Sequence, residues 1–450
     1  MSDRAYIPWP EPDAEEPASC TSQGAGSSPD YDAHFLAYHA RDPHLILHKA
    51  LYCISCCAIS AYIPFLVQWL VGTKGLTPLT AGGVFAAAQV FTLPLSPIIA
   101  RLADTSEAWR RRIFVGGFIV WLFALYAMSL CDTLAAITAF YTVAEICAVT
   151  VFPILDASIQ RILTAVNGDS NKYGNTRAWG AVGWGLGGLA FGALYDADGN
   201  KDRMVLYFAL GQVPSIALAC LIPLEKRPAT KASDKKALLT LLRWDVAAFA
   251  LVLTLCSLLL TCLDLFRFSY LETMGASNQL MGASLLAASV SETPFFFLTS
   301  AILGRISIGT AMVVVSVGYV ARFLWYAFLT DPAYTVPAEL LHGMTFALGW
   351  AAATKYITEI LPPELSSMAM GLLTSVIWCL GGMAGSLFGG GMLHNFGFQA
   401  MWLTGAALGG VAAGIMVLQL AVCKGSKASG GLSSDEPRNG NVEQQAAQGG

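Results

Sequence analysis

The chain has 450 residues, of which 55% are hydrophobic and only 12% charged, with a formal net charge of −4. A soluble chain of this length carries about 25% charged residues, so the composition excludes an ordinary soluble domain and points to a membrane protein. No basic run of the nucleic-acid-binding kind is present, which removes nucleic acid as a partner.

The first 45 residues form a polar tail with prolines at Pro8, Pro10, Pro12 and Pro17 among others and an acidic group at Glu11, Asp13, Glu15 and Glu16. This composition favours disorder and shows no secretory signal. Twelve apolar segments follow, at 46–70, 80–103, 112–131, 134–158, 177–196, 204–224, 244–270, 279–303, 308–329, 335–360, 365–391 and 398–422. A membrane-spanning helix needs roughly 17–25 residues. Six segments lie in 46–224 and six in 244–422, separated by a polar, cationic linker at 225–243. A second tail, 423–450, is rich in Gly, Ser and Gln and reads as disordered. The expected fold is therefore an all-α integral membrane protein, with twelve transmembrane helices in two pseudo-symmetric six-helix bundles.

Lys and Arg concentrate in the loops after even-numbered segments, such as Arg110, Arg111, Arg112 and Arg161. Loops after odd-numbered segments hold only Lys74, Lys201 and Arg203. The positive-inside rule then places both termini in the cytoplasm, without identifying the membrane. The repeat is visible residue by residue: Gly75, Gly82 and Pro94 recur as Gly275, Gly282 and Pro294, at an offset of 200. Segments five and eleven carry Gly-x-x-x-Gly spacings, which let helix backbones approach closely. Eleven cysteines lie mostly inside spans. Cys53, Cys56 and Cys57 read as small apolar residues, so neither a metal nor an organic cofactor is expected.

Ionisable groups inside spans cost about 2.5–3.5 kcal/mol near the bilayer centre and therefore mark function or a polar network. Glu145 lies mid-way along segment four, either facing a cavity or bonded to Gln89 of segment two. Asp156, Arg161 and Arg177 flank the inner ends of segments four and five and read as a cytoplasmic latch. Asp264 and Arg267 share a face of segment seven. Glu292 sits mid-way along segment eight, two residues before Pro294, where a freed carbonyl and an acid suit a solute or cation site. Arg322 in segment nine and the pair Glu339 and His342 in segment ten fall at matching depths. Together with Asp264 and Arg267 they form an expected polar layer, which either moves protons or fixes helix packing. Tyr62, beside Pro64, is a candidate cavity residue. Trp69, Trp179, Trp184, Trp325, Tyr326, Trp350 and Trp378 line a cavity or serve as packing and interface anchors.

Two six-segment halves joined by a central loop resemble the major facilitator superfamily. Pro97-Ile-Ile-Ala-Arg101-Leu-Ala-Asp104 followed by Arg110-Arg-Arg112 is similar to that superfamily's loop between spans two and three, with Ala100 in place of its first glycine. Tyr173-Gly-x-x-Arg177-x-Trp179-Gly180 and Pro337-x-Glu339-Leu-Leu-His342-Gly resemble the lactose-permease-like and nucleoside:proton-symporter-like branch. The resemblance covers about residues 46–422. It implies alternating access between the two bundles, with a midplane site among spans one, four, seven and ten. It also implies proton coupling through Arg322, Glu339 and His342, although acid and imidazole stand in the reverse order along the span. By the same resemblance Asp104, Arg110 and Arg111 belong to a cytoplasmic gate. The expected activity is proton-coupled symport of a small polar, sugar- or nucleoside-like solute by a monomer in the lipid bilayer. A uniporter is the nearest alternative, and a transporter-like receptor or scaffold that binds through its acidic tail is the other. No catalytic motif is present, and a missing phosphate loop argues against ATP-driven transport.

Overall fold

The computed structural model of the chain describes residues 45–163, 173–222, 224, 243–361 and 366–431. The expected tail over 1–44, the linker over 225–242 and residues 432–450 lie outside the described residues. Every regular element among the described residues is helical. In the first part of the chain these are α1 (Ile46–Ser60), a 3-10 turn (Ile63–Phe65), α2 (Leu66–Gly72), α3 (Pro78–Thr105), α4 (Glu107–Ser129), α5 (Leu134–Ile162), α6 (Tyr173–Asp198) and α7 (Met204–Leu221). The second part contains α8 (Trp244–Thr273), α9 (Asn278–Leu303), α10 (Ile308–Ala327), α11 (Thr335–Glu339), α12 (His342–Thr345) and α13 (Ala347–Ile360). It ends in α14 (Ser366–Thr374), a π-helical turn (Ser375–Gly381) and α15 (Gly382–Gly431), which continues past 422 into the segment expected as a tail.

The expectation of twelve transmembrane helices in two six-helix bundles is not met. Among the described residues, nine helices are long and apolar enough to cross a membrane. Three features account for the difference. The tenth apolar segment is broken into α11, α12 and α13, none of them long enough alone. The fifth, α6, has glycines where large apolar side chains would raise its hydropathy. The last two run together as one apolar helical stretch, Ala369–Val422, bent at Gly397.

The internal repeat has a structural counterpart. Gly75 and Gly275 both take the left-handed backbone, at φ 67° and 79°, where L side chains are strained. Two residues on, Thr77 and Ser277 cap α3 and α9, each accepting a backbone N–H at 3.1 Å. A Cβ added at Gly82 would meet the Ser386 carbonyl of α15, and one at Gly282 would meet the Gly188 carbonyl of α6. Helix backbones therefore touch at both points, α3 on α15 and α9 on α6.

Polar contacts between the two parts seal the end of the molecule where Gly75 and Gly275 turn. Asp196, near the end of α6, caps α9: it accepts the Asn278 N–H at 2.9 Å and the Gln279 N–H at 2.8 Å. Lys201 pairs with Glu272 at 2.6 Å. Buried Gln68 donates to the Phe268 carbonyl at 3.2 Å. The outward helix faces carry Phe123, Leu210, Val290 and Phe297, all more than half exposed, as a lipid-facing surface requires. Inside, the largest fully buried side chains include Trp69, Trp121 and Trp402, and also Arg267 and Arg322. Two guanidiniums in such company need an explanation.

Candidate functional site

The explanation is Glu339. It ends α11, where the helix breaks, and its side chain is 0% exposed. Arg322 of α10 donates to its Oε2 at 2.8 Å, and Arg267 of α8 pairs with the same oxygen. Tyr326 donates to Oε1 at 2.6 Å and lies 2.7 Å from the Thr335 hydroxyl. Arg322 also donates to Thr345 Oγ1 at 3.0 Å. Such charge-assisted bonds are the strong ones, and burial makes each partner costly to remove.

His342 connects this group to the centre of the molecule. Its Nδ1 lies 3.3 Å from an Arg322 Nη1. A guanidinium can only donate, so Nδ1 accepts and the ring proton of the neutral tautomer sits on Nε2. Nε2 faces Glu292 Oε2 at 3.7 Å, a gap that one water or a small side-chain shift closes. The neighbouring residue on α9 holds the helix break in place. The Ser291 hydroxyl donates to the Leu340 carbonyl and accepts the Gly343 N–H at 3.1 Å.

Glu292 and His342 open onto a central cavity of about 310 Å³ bounded by helices from both parts of the chain. At about 30 Å³ per molecule this holds roughly ten waters or one small solute. Its wall contains four carboxyl side chains (Glu145, Asp156, Asp264, Glu292), one guanidinium (Arg177) and the imidazole. Glu145 accepts from Tyr141 at 2.6 Å and from Gln89 at 3.2 Å. Arg177 stands 5.2 Å over the Tyr52 ring and interacts electrostatically with both Asp156 and Glu292. Phe346, Trp350 and Trp378 form a ring cluster on the wall, with centroids 6.2 to 6.4 Å apart.

The structure thus brings Arg267, Arg322, Glu339 and His342 together and places Asp264 and Glu292 on the adjoining cavity wall. It puts Glu145 beside Gln89 and also on that wall. Tyr62, expected as a cavity residue, is 1% exposed and packs edge-on against Phe208, behind the wall. Of the expected aromatics Trp184, Trp350 and Trp378 reach the cavity. Trp69 instead donates to Asp202 and Trp325 to the Tyr334 carbonyl, each at 2.9 Å. Of the gate candidates, Asp156 and Arg177 lie at the cavity. Arg110 is buried on α4, and Arg111 donates to the Cys220 carbonyl of α7 at 2.7 Å. The side chains of Asp104 and Arg161 lie outside the described residues. Thr345 and Ser291 matter and were not singled out, and Tyr326, expected only as a cavity-lining or packing aromatic, bonds Glu339 instead. Tyr326 is one helical turn from Arg322 and Thr345 one turn from His342, so helical spacing signals both. Ser291 carries no such signal.

Known proteins share the sequence pattern and the fold. The model of the MFS_1 like family matches residues 45–404. The maltose permease of Geobacillus stearothermophilus is 24% identical over 354 residues, 77% of this chain and 87% of that protein. The lactose permease of Klebsiella oxytoca is 20% identical over 401 residues, covering 82% and 92%. Among solved structures, the nucleoside transporter NupG superposes with a TM-score of 0.70 at 15% identity, over 83% of this chain and 98% of that one.

Proposed function

The chain belongs to the MFS_1 like family and is a secondary transporter, not an enzyme; we propose that it carries a small polar solute through the central cavity by alternating access, in symport with a proton. The observation that carries this reading is the row of polar side chains from the cavity to the buried ionic centre, Glu292, His342, Arg322 and Glu339, broken only by the 3.7 Å gap between the first two. A solute in the cavity touches one end of that row. A proton arriving at Glu292 removes a charge from the wall and changes what His342 faces. His342 passes the change to Arg322, whose bonds to Glu339 and Thr345 tie α10 to the broken segment α11–α12.

Residues 46–224 and 244–422 act as the two moving bodies in this scheme, with the expected linker between them. Opening the sealed end requires the Asp196 cap, the Lys201–Glu272 pair and the Gln68 bond to part. Each is worth about 0.5–3 kcal/mol net, so a bound solute and proton suffice to shift the balance. Asp156 and Arg177 belong to the opposite, cytoplasmic side and close it in turn, with Asp104, Arg110, Arg111 and Arg161 further along that face.

The test is transport by purified protein in liposomes with internal pH followed. Sugars, nucleosides and amines are presented in turn. Solute-dependent acidification of the lumen is the expected result. Flux without proton movement indicates a uniporter and removes the coupling role of Glu292 and His342. Absence of flux for every solute favours a receptor or scaffold, whose tail binding element lies outside the described residues. Replacing Glu292 with glutamine keeps the shape and removes the titrating group. The Glu292→Gln protein is expected to exchange solute across the membrane yet lose acidification and uphill accumulation. Retained uphill accumulation would place coupling elsewhere.

A further inference from the structure

The cavity wall is unbalanced in two independent ways. The first is charge: among the described residues, four carboxyl side chains line it against one guanidinium and one imidazole. Arg177 is shared between Asp156 and Glu292. Arg267 and Arg322 share the single Glu339 carboxylate, so the group behind Asp264 keeps one positive charge and offsets one of the four, which leaves an excess of carboxylates at the wall. Carboxylates surrounded by low-dielectric walls attract a counter-charge strongly. The second imbalance is in hydrogen bonding. Gln89, one of the residues that line the cavity, is 7% exposed; its Nε2 donates to Glu145, while its Oε1 accepts from nothing among the described residues. Trp350, 8% exposed and also a lining residue, has an Nε1–H without an acceptor among the described residues. Buried polar atoms of this kind are normally paired, so their ligand is expected to supply the missing partners.

A neutral sugar supplies hydroxyls but no charge. A quaternary ammonium supplies charge but no N–H for Gln89. The face of the Phe346, Trp350 and Trp378 cluster attracts a cation, and its flat apolar area suits an aromatic or aliphatic body. Resting on the transporter reading, we infer that the solute is a protonated amine: an N–H-bearing organic cation, with one oxygen acceptor for Trp350. Its ammonium group donates to Gln89 Oε1 and is neutralised by Glu145 and Asp264. Its body lies against the ring cluster.

Binding separates this inference from transport. The full-length protein is titrated with three matched probes by calorimetry and by quenching of its cavity tryptophans. Tyramine carries the ammonium and a hydroxyl acceptor. Its N,N,N-trimethyl derivative keeps the charge without N–H. Tyrosol replaces the ammonium with a neutral hydroxyl. Tyramine is expected to bind at least about tenfold tighter than either analogue, the scale of one charge-assisted hydrogen bond. Asp264→Asn is expected to weaken tyramine about tenfold with a smaller effect on uncharged tyrosol, and Gln89→Met to weaken tyramine about tenfold. Thermal unfolding checks that each variant folds, and either variant alone suffices. Tighter binding of tyrosol, lactose or uridine overturns the inference, as does no tyramine binding or tyramine binding indifferent to both substitutions. Liposome flux of a neutral solute without tyramine binding sinks the amine and spares the transporter. Tyramine binding without any flux does the reverse.

Discussion

Glutamine at position 339 is expected to abolish uphill accumulation of solute and to lower the unfolding temperature of the protein sharply. In the native chain two buried guanidiniums and one carboxylate leave the group with one excess positive charge. Glu339→Gln raises that excess to two in a site that is 0 to 2% exposed. Removing one member of a buried ion pair costs about 3–5 kcal/mol. A bare loss of activity would therefore be ambiguous between folding and coupling. The double variant Glu339→Gln with Arg267→Gln returns the excess to one and is expected to recover most of the unfolding temperature. It is expected to exchange solute down a gradient but still not to accumulate it. The measurements are tryptophan-monitored unfolding, counterflow and uphill uptake on the same preparations. Uphill accumulation by the double variant would reduce Glu339 to a packing role.

The second large effect is steric. Valine at Gly282 places a Cβ against the Gly188 carbonyl of α6, a backbone atom that cannot swing aside. Overpacking of this kind costs about 1–3 kcal/mol, and in the proposed scheme, where the α6–α9 contact parts on opening, the cost falls on the sealed conformation. At a factor of ten per 1.4 kcal/mol, the balance between sealed and opened forms shifts about 5–150-fold. Solute exchange is expected to slow by a similar factor, because each cycle must pass through the sealed form. Access at that end is expected to rise. A cysteine placed at Leu271, which is 0% exposed, should become reactive to a maleimide in the Gly282→Val background, as mapped by peptide mass. Gly83→Val is the control, since a Cβ there meets nothing within 4 Å. Equal effects of the two valines, or an unreactive cysteine, would show that the α6–α9 contact is not what parts.

Much of the ionic centre could be read from residue identities. Charged groups inside apolar segments are few, and matching depths along antiparallel segments put Arg322 with Glu339 and His342. Gln89 was visible as a partner for Glu145 for the same reason: few polar groups stand at that depth. The number of membrane-crossing helices was not legible. Hydropathy counts apolar side chains and is blind to whether the backbone stays helical between Leu340 and Phe346. It also treats the glycines of α6 as weak evidence of membrane burial, although they mark its closest helix contacts. Tyr62 looked like a cavity residue because its segment was expected to line the path. Its ring instead turns toward Phe208, a choice made by packing between α1 and α7 that no local pattern encodes. The Asp196 cap on α9 was missed because its partners lie 82 and 83 residues away in the chain.

The helix break has a further consequence, in the time domain. Glu339 ends a helix of 5 residues, and the next helix has 4. Leu340 and Leu341 bond three residues back, not four. Helices this short do not hold themselves in place. What holds this segment is a set of side chains on other helices: Arg267 on α8, Ser291 on α9, and Arg322 and Tyr326 on α10. A fully buried carboxylate therefore sits on a backbone that does not hold itself in place. Amide hydrogen exchange over residues 335–346 is set by the ionic contacts and not by the helix, so the segment's deuterium uptake serves as a clock for how often the Glu339 cluster lets go.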